Sequence, residues 1–122
     1  MPADLLATLH HTLNHFEAEA PQVPELPTQA DLKPWRVRID EIDSVMVQLL
    51  NERSRCANII GHLKKKLQIP VYAPRREEEV LRHVIAHNQG PLPDDAVRNI
   101  FERIIDETRS LERYKYQDEP DP

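Results

Sequence analysis

Apolar side chains recur every three or four residues through the middle of the chain, which is the spacing of one face of an α-helix that packs on other helices. Pro34 suits the first turn of such a helix, because its missing N–H would have no partner there in any case. Nothing between Pro34 and Leu67 stops the helix, so the pattern predicts one helix from Pro34 to about Leu67. The apolar positions of this face are Ile39, Ile42, Met46, Leu49, Cys56, Ile60 and Leu63.

The length of this helix bears on the oligomeric state. At 1.5 Å per residue it would be roughly 50 Å long. A compact domain of this size has a radius of gyration of only about 13 Å. The rest of the chain therefore cannot cover such a helix. We expect a dimer in which long helices pack across the subunit boundary.

Two shorter helices follow the long one. The first runs from Arg75 to about His87, and the Asn-Gln-Gly-Pro sequence of residues 88–91 ends it. Asp94 or Asp95 is a suitable N-cap for the second. The apolar positions that predict the inward faces are Val80, Leu81, Val84 and Ile85 in the first helix and Val97, Ile100, Phe101, Ile104, Ile105 and Leu111 in the second.

The residues before the long helix form a separate segment. Asp4 to about Glu19 has the pattern of a short amphipathic helix. Three prolines between residues 21 and 27 then predict an extended linker, because proline breaks a helix. The expected organisation is an N-terminal helix with a proline-rich linker over residues 1–32, a main domain over 33–116 and a flexible tail over 117–122.

Composition supports an all-α fold and narrows the functional classes. Charged residues make up 30% of the chain and aromatic residues 5%, and the two glycines leave little room for tight β-turns. A formal net charge of −5 argues against nucleic acid as a partner, because phosphate contacts need a basic surface. Cys56 is the single cysteine and fits a reducing cytoplasm. We expect no signal peptide and no membrane span.

Arg53 occupies an apolar position of the long helix. A guanidinium cannot lose its proton, and burying it without a partner has a large desolvation cost. Arg53 therefore needs either a carboxylate of the protein or an anionic ligand. Lys64 lies eleven residues later, three helical turns along, and points to nearly the same side. Arg36 lies seventeen residues before Arg53, near the opposite end of the helix.

Polar residues also border the inward faces of the shorter helices. Arg76 and Glu77 each precede an apolar position by four residues, Thr108 continues the apolar series of the last helix, and Glu112 follows Thr108 by four. One interpretation is a structural ion pair, for which Glu112 is a possible partner of Arg53. The other is a site for an anion with two carboxylates. Several convergent cations with few inward acids favour the ligand.

Two histidine pairs raise the question of a metal site. His11 and His15, and His83 and His87, have the i,i+4 spacing that can present two imidazoles to a metal. No acid of an HExxH type lies nearby, and Cys56 is distant in sequence. Such pairs on exposed helix faces are common by chance. We therefore expect no metal site.

A series of short motifs resembles the all-helical chorismate mutases of the AroQ class. None is decisive alone, but their order and spacing over residues 36–112 are specific. The matching motifs are Arg38-Ile39-Asp40-Glu41-Ile42-Asp43, Leu49-Leu50-Asn51-Glu52-Arg53, Ile60-Gly61 followed by Lys64, Pro70-Val71-Tyr72, Pro74 with Arg76-Glu77, Asn88 with Gly90-Pro91-Leu92, and Ile100-Phe101.

The resemblance implies an all-α fold in which three-helix subunits, each with one very long first helix, form an intertwined homodimer with active sites shared between subunits. It implies the pericyclic (Claisen) rearrangement of chorismate to prephenate, which belongs to phenylalanine and tyrosine biosynthesis. It implies no cofactor. Here the chain would carry an additional N-terminal helix, which has no counterpart in the minimal family members.

The resemblance also assigns roles to residues. Arg53 and Arg36 would bind the two carboxylates of chorismate, with Arg36 reaching in from the other subunit. Lys64 would bridge a carboxylate and the ether oxygen. Lys64, Glu112 and Arg53 are the expected catalytic residues. Arg76 and Thr108 would help to fix a carboxylate. Glu77 would accept a hydrogen bond from the ring hydroxyl. A protonated Glu112 would face the ether oxygen.

Ala73 departs from the family pattern, because this position is often Asp, whose backbone N–H assists the ring hydroxyl. A backbone donor survives the change. Isochorismate-pyruvate lyase is the alternative within the same fold, and it tends to lack the pair seen here as Arg76 and Glu77. A non-catalytic helical dimer that binds an aromatic acid or a partner enzyme is the alternative of another class. A purely structural dimer would gain stability if apolar residues replaced its buried charges. The inward polar residues of this chain therefore argue against that alternative.

Overall fold

The computed structural model describes residues 7 and 23–118, with side chains at residues 7 and 23–111. A single 3₁₀ turn, Gln29–Leu32, leads into three α-helices, and the described residues contain no β-strand. The helices are α1 (Lys33–Leu67), α2 (Pro74–Ala86) and α3 (Asp94–Asp118). The prediction of an all-α chain with a very long first helix is confirmed. The predicted N-terminal helix, apart from Ala7, lies outside the described residues.

The start of α1 follows from the residues that precede it. The Asp31 carboxylate accepts hydrogen bonds from the Thr28 N–H at 2.7 Å and from the Thr28 hydroxyl at 3.3 Å. This contact holds the chain at the entrance to the 3₁₀ turn, where backbone N–H groups otherwise lack partners. Pro34 then lies in the first turn of α1, as the sequence predicted.

The chain divides into two compact units, Met1–Arg53 and Ser54–Pro122, and the division falls within α1. In the first unit, Val45 and Arg38 are the described residues that are buried. In the second unit, α2 packs against α3. Among the described residues of this unit, the buried apolar ones are Ala57 on α1, Leu81 on α2, and Val97 and Ile105 on α3.

The apolar face that the sequence predicted for α1 is only partly covered within one chain. Ile39 is 55% exposed in the first unit, and Leu63 is 53% exposed in the second. The buried positions of α1 are instead Arg38 and Val45 in the first unit and Ala57 and Gly61 in the second. In the second unit, α2 and α3 pack on each other and leave the predicted face of α1 open. We call the exposed side chains the α1 stripe: Ile39, Ile42, Met46, Ile60 and Leu63.

The connection between α2 and α3 is fixed by one side chain. Asn88 donates through Nδ2 to the Leu92 carbonyl at 2.8 Å and to Oδ1 of Asp94 at 2.9 Å. Its Oδ1 accepts a hydrogen bond from the Gly90 N–H at 3.0 Å. Gly90 has a φ of 76°, in the left-handed region that favours glycine. The loop between the two helices is therefore held by hydrogen bonds of the Asn88 side chain to Gly90, Leu92 and Asp94.

The N-cap expected at Asp94 or Asp95 lies one residue earlier. The Pro93 carbonyl accepts the N–H groups of Ala96 and Val97, so the hydrogen-bonded turns of α3 begin from Pro93. Asp94 and Asp95 lie in the first turn. Carboxylates in the first turn are stabilised by the positive end of the helix dipole. Aspartate is therefore favoured in the first turn of α3 as well as at its N-cap.

Candidate functional site

A cluster of charged side chains joins α2 to α3 in the second unit. Nη1 of Arg109 lies 3.0 Å from Oε2 and 3.2 Å from Oε1 of Glu77. Nη2 of Arg109 lies 2.5 Å from Oδ1 of Asp106, and its guanidinium carbon lies 5.3 Å from the centre of the Tyr72 ring. The Arg109 and Glu77 side chains are 25% and 26% exposed, so the pair is shielded from most solvent. Glu77, a predicted site residue, is thus held by a residue that the sequence analysis did not select.

An open groove of about 390 Å³ lies beside this cluster. Glu77, Glu78, Glu102 and Asp106 contribute carboxylates to its lining, and Arg109 contributes the cation. Such a lining repels a dianion, so this groove does not suit the expected substrate by itself. Glu77 lines this acidic groove and is not surrounded by a cationic pocket.

A second arginine keeps the other two acids of the groove together. Arg98 lies 3.0 Å from Glu102 through Nε and 3.4 Å from Glu78 through Nη2. These side chains are between 39% and 48% exposed, so each pair contributes little to stability. The α2–α3 contact therefore carries two arginines, each between two acids, and only Arg109 contacts a predicted site residue.

Lys64 is fixed near the end of α1. Its Nζ donates a hydrogen bond to the Val71 carbonyl oxygen at 2.9 Å, and the lysine is half-buried. The same turn is closed by backbone bonds from Ile69 N–H to the Lys64 carbonyl and from Gln68 N–H to the Lys65 carbonyl. The loop after α1 thus sets the position of a predicted catalytic ammonium group.

Two further predicted site residues differ in exposure: Arg76 is exposed, whereas Thr108 is half-buried. The Arg76 side chain is 71% exposed and lies 3.6 Å from Glu79, one turn along α2. It therefore borders solvent in a single chain. Thr108 is half-buried, and its hydroxyl donates to the Ile104 carbonyl at 2.7 Å.

The first unit holds the two arginines predicted to bind carboxylates. Arg36 is exposed near the start of α1, and Arg53 is half-buried at the end of the unit. Arg38, which the sequence analysis did not select for the site, is 8% exposed and lines an open groove of about 440 Å³ that includes Trp35. The backbone of Glu112 belongs to α3, but its side chain lies outside the described part of the chain.

The histidine pair on α2 makes a local contact. The ring centres of His83 and His87 lie 4.3 Å apart, and Nδ1 of His87 lies 2.8 Å from the His83 carbonyl oxygen. Among the side chains that the structure describes, no group of three or more His, Cys, Asp or Glu is placed to hold a metal ion. The other pair, His11 and His15, lies outside the described residues. No described helix has the length and apolar character needed to cross a bilayer.

Fold and sequence together define an all-helical protein whose long first helix carries arginine and lysine at helical spacing. The chain belongs to the chorismate mutase type II family, whose sequence profile matches residues 35–113. The resemblance seen in the motifs is thereby confirmed. The matched range encloses all seven predicted site residues.

A solved relative has the same fold. The chorismate mutase of Thermus thermophilus, in its form II structure, superposes with a TM-score of 0.67 at 36% sequence identity. The superposition covers 68% of this chain and 94% of that one. Nearly all of the Thermus chain therefore has a counterpart in this chain.

The sequence relatives include longer proteins. The bifunctional chorismate mutase/prephenate dehydratase of Neisseria gonorrhoeae is 44% identical over 82 residues, which cover 67% of this chain and 22% of that protein. The bifunctional protein of Aquifex aeolicus is 37% identical over 87 residues, 68% of this chain and 24% of that protein. The chain thus spans under a quarter of these two relatives. A chorismate mutase of Methanocaldococcus jannaschii is 28% identical over 79 residues, which cover 64% of this chain and 80% of that protein.

Proposed function

We propose that this protein is a chorismate mutase, which catalyses the pericyclic rearrangement of chorismate to prephenate for phenylalanine and tyrosine biosynthesis. The observation that carries the proposal is the family match over residues 35–113, together with the fold shared with the Thermus thermophilus enzyme. The charge distribution agrees, because the matched range carries three predicted cations on α1, Arg36, Arg53 and Lys64.

The reaction asks two things of the protein. In this rearrangement a C–O bond breaks while a C–C bond forms within one molecule, so no nucleophile and no cofactor is required. The protein must hold the dianionic substrate in its compact, reactive conformer. It must also stabilise the negative charge that grows on the ether oxygen as the C–O bond breaks. Fixed arginines and a fixed ammonium group serve these two needs.

Arg53 and Arg36 bind the two carboxylates in this proposal. A guanidinium presents paired N–H donors that match the two oxygens of a carboxylate. Arg36 is exposed in one chain, which suits a residue that reaches into the site of a neighbouring subunit. Arg53 is half-buried, so a carboxylate bound to it is partly removed from water and held more strongly.

Lys64 contacts both a carboxylate and the ether oxygen. An ammonium group has three N–H donors, and the Val71 carbonyl takes one of them at 2.9 Å. The other donors are available to the substrate. A protonated Glu112 completes the contact with the ether oxygen from α3.

Glu77, Arg76 and Thr108 bind the remaining polar groups of the substrate. Glu77 accepts a hydrogen bond from the ring hydroxyl. Arg76 turns from its exposed position beside Glu79 to meet a carboxylate. Thr108 donates to a carboxylate after its hydroxyl leaves the Ile104 carbonyl.

The proposed assembly is a homodimer whose long helices pack through the α1 stripe. The stripe places large apolar side chains in water along α1 in both units, including Met46 at 50% exposure. Contiguous exposed apolar surface marks an interaction site. A second copy offers the same stripe, and such a self-complementary contact is the usual form of a dimer interface.

Two further parts of the proposal concern organisation and location. Residues 1–32 are an appendage to the catalytic domain of residues 33–116, and residues 117–122 are a tail. The location is the cytoplasm, since the single cysteine, Cys56, is exposed and has no disulfide partner in the chain.

The direct test is the loss of the ultraviolet absorbance of chorismate when the purified protein is added. Arg53→Ala should lower kcat/KM by several powers of ten, because it removes a partly desolvated charge contact. Arg55→Ala is the matched control, two residues along α1 at an exposed position, and should keep nearly full activity.

Each alternative function gives a different result in the same assay. Release of pyruvate from isochorismate, with chorismate unchanged, identifies a lyase. Binding of chorismate without conversion identifies a non-catalytic dimer. Either result contradicts the proposed mutase activity.

A further inference from the structure

The contact between Arg109 and Glu77 links a residue outside the predicted site to one inside it. We propose that Arg109 is a positioning residue that orients the Glu77 carboxylate toward the ring hydroxyl of the substrate. This inference rests on the proposed function, since it concerns how one of its binding residues is held.

The hydrogen-bond geometry leaves Glu77 able to accept from a ligand. One nitrogen of Arg109 donates to both carboxylate oxygens, at 3.0 and 3.2 Å. An ionised carboxylate offers about four lone-pair sites, so roughly half remain open to another donor. The two bonds hold both carboxylate oxygens toward Arg109, so the open lone pairs face away from it.

Arg109 is itself restrained on two further sides. Nη2 lies 2.5 Å from the Asp106 carboxylate, one turn earlier on α3, and the guanidinium lies over the Tyr72 ring at 5.3 Å. A planar guanidinium can meet two carboxylates and one aromatic face at once, whereas an ammonium group is a point charge with no fixed plane. Arg109 therefore connects Glu77 to α3 and to the loop that contains Tyr72.

The charge of Arg109 offsets part of the negative charge of the groove that Glu77 lines. An ionised Glu77 next to two substrate carboxylates would repel them unless a cation is close to it. The nearest cationic group to Glu77 in the cluster is Arg109, while Arg98 is engaged with Glu78 and Glu102. A neutral acceptor could not be held so firmly, because a charge-assisted hydrogen bond is roughly twice as strong as a neutral one.

The test compares two substrates: chorismate and an analogue that lacks the ring hydroxyl. Without that hydroxyl, the substrate cannot use the oriented carboxylate. The readout is the ratio of kcat/KM for chorismate to kcat/KM for the analogue. Arg109→Gln should lower this ratio by about tenfold, the size expected for losing one well-aligned hydrogen bond to a charged group. A purely structural loss would lower both rates together and leave the ratio unchanged.

Three further variants complete the design. Arg109→Lys keeps the positive charge but lacks the planar guanidinium, so its ratio should lie between those of the wild type and Arg109→Gln. It replaces Arg109→Gln as the test variant if Arg109→Gln does not fold. In a Glu77→Ala background, Arg109→Gln should no longer change the ratio, because the residue it positions is gone. Arg103→Gln is the matched control: it removes an exposed i,i+4 pair of 2.8 Å with Glu107 on the same helix and should leave the ratio at the wild-type value.

The outcomes separate this inference from the proposed function. An active wild type whose ratio is unaffected by Arg109→Gln and Arg109→Lys overturns the positioning role alone. A wild type that converts neither substrate overturns the proposed function and the inference with it.

Discussion

The ammonium nitrogen of Lys64 lies 2.9 Å from the carbonyl oxygen of Val71, so the loop after α1 holds the end of a side chain that starts on that helix. Lys64 and Val71 are seven residues apart. The contact restrains a flexible four-carbon stem, which would otherwise sample many rotamers before reaching a substrate. A residue proposed to contact a breaking bond is thus ordered by the backbone beside it.

Lys64→Met should lower kcat/KM by about two to three powers of ten, the range seen when one donor to a developing oxyanion is removed. Its free energy of unfolding should fall by only about 1 kcal/mol, because one hydrogen bond to Val71 is lost. Steady-state kinetics and urea unfolding measure the two effects. Lys66→Met, two residues along at an exposed position, is the control. Equal losses of activity in both variants would refute the role of Lys64.

Arg36→Ala and Arg53→Ala test the shared site. If Arg36 serves the site of the neighbouring subunit, a dimer with one copy of each variant contains one intact site and one site that lacks both arginines. Random mixing of equal amounts should then restore about a quarter of the wild-type activity. Subunit exchange is followed by mass spectrometry of differently tagged chains. Two inactive variants that exchange subunits without any recovery would show that both arginines belong to the same subunit's site.

Glu112→Gln tests the proposed donor to the ether oxygen. A carboxyl group donates a hydrogen bond only while it carries a proton, so wild-type activity should decrease as the pH rises and that proton is lost. Glutamine keeps an N–H donor at every pH, so the variant should retain its activity further into the alkaline range. The measurement is kcat/KM against pH for both proteins. The same alkaline decrease in the two proteins would assign the decrease to another group.

Asn88→Ala should weaken the joint between α2 and α3. It removes hydrogen bonds to Leu92, Asp94 and Gly90, so the free energy of unfolding should fall by about 1–2 kcal/mol at a fixed protein concentration. Urea unfolding followed by circular dichroism measures the change. Gln89→Ala, at the exposed neighbouring position, should be nearly neutral. A neutral Asn88→Ala would mean that the loop is held by its backbone alone.

The helices could be predicted from the sequence because their boundaries depend on local chemistry. Pro34 and the prolines after Leu67 bound α1, and the predicted limits agree with Lys33–Leu67. The second helix begins at Pro74 rather than Arg75 and ends at Ala86 rather than His87, a difference of one residue. Proline and glycine act on their own backbone, so their effect does not depend on the tertiary fold.

The buried face of α1 could not be predicted in the same way. The apolar repeat identified a face, but Ile39 and Leu63 remain exposed in one chain, whereas Arg38 is buried. An apolar repeat shows which side of a helix seeks a partner, and not whether that partner is in the same chain. The proposed second copy is what would cover this face.

Arg109 shows a further limit of the sequence. It follows the buried Ile105 by four residues, the same spacing that selected Arg76 and Glu77, so a signal was present. Its partner Glu77, however, is 32 residues away. Which acid meets which arginine depends on the register of α2 against α3, and side-chain spacing along a single helix does not contain that register. The seven residues selected for the site stay predictions.

The backbone of Gly90 is constrained by handedness rather than by space. A Cβ built there on the L side meets nothing within 4 Å, so only its φ of 76° resists a side chain. For a D residue this φ is the ordinary one. D-alanine at position 90, introduced by chemical ligation, should therefore adopt this φ without backbone strain. It should stabilise the protein by about 0.4–1 kcal/mol, because the unfolded chain would lose the freedom that glycine gives it.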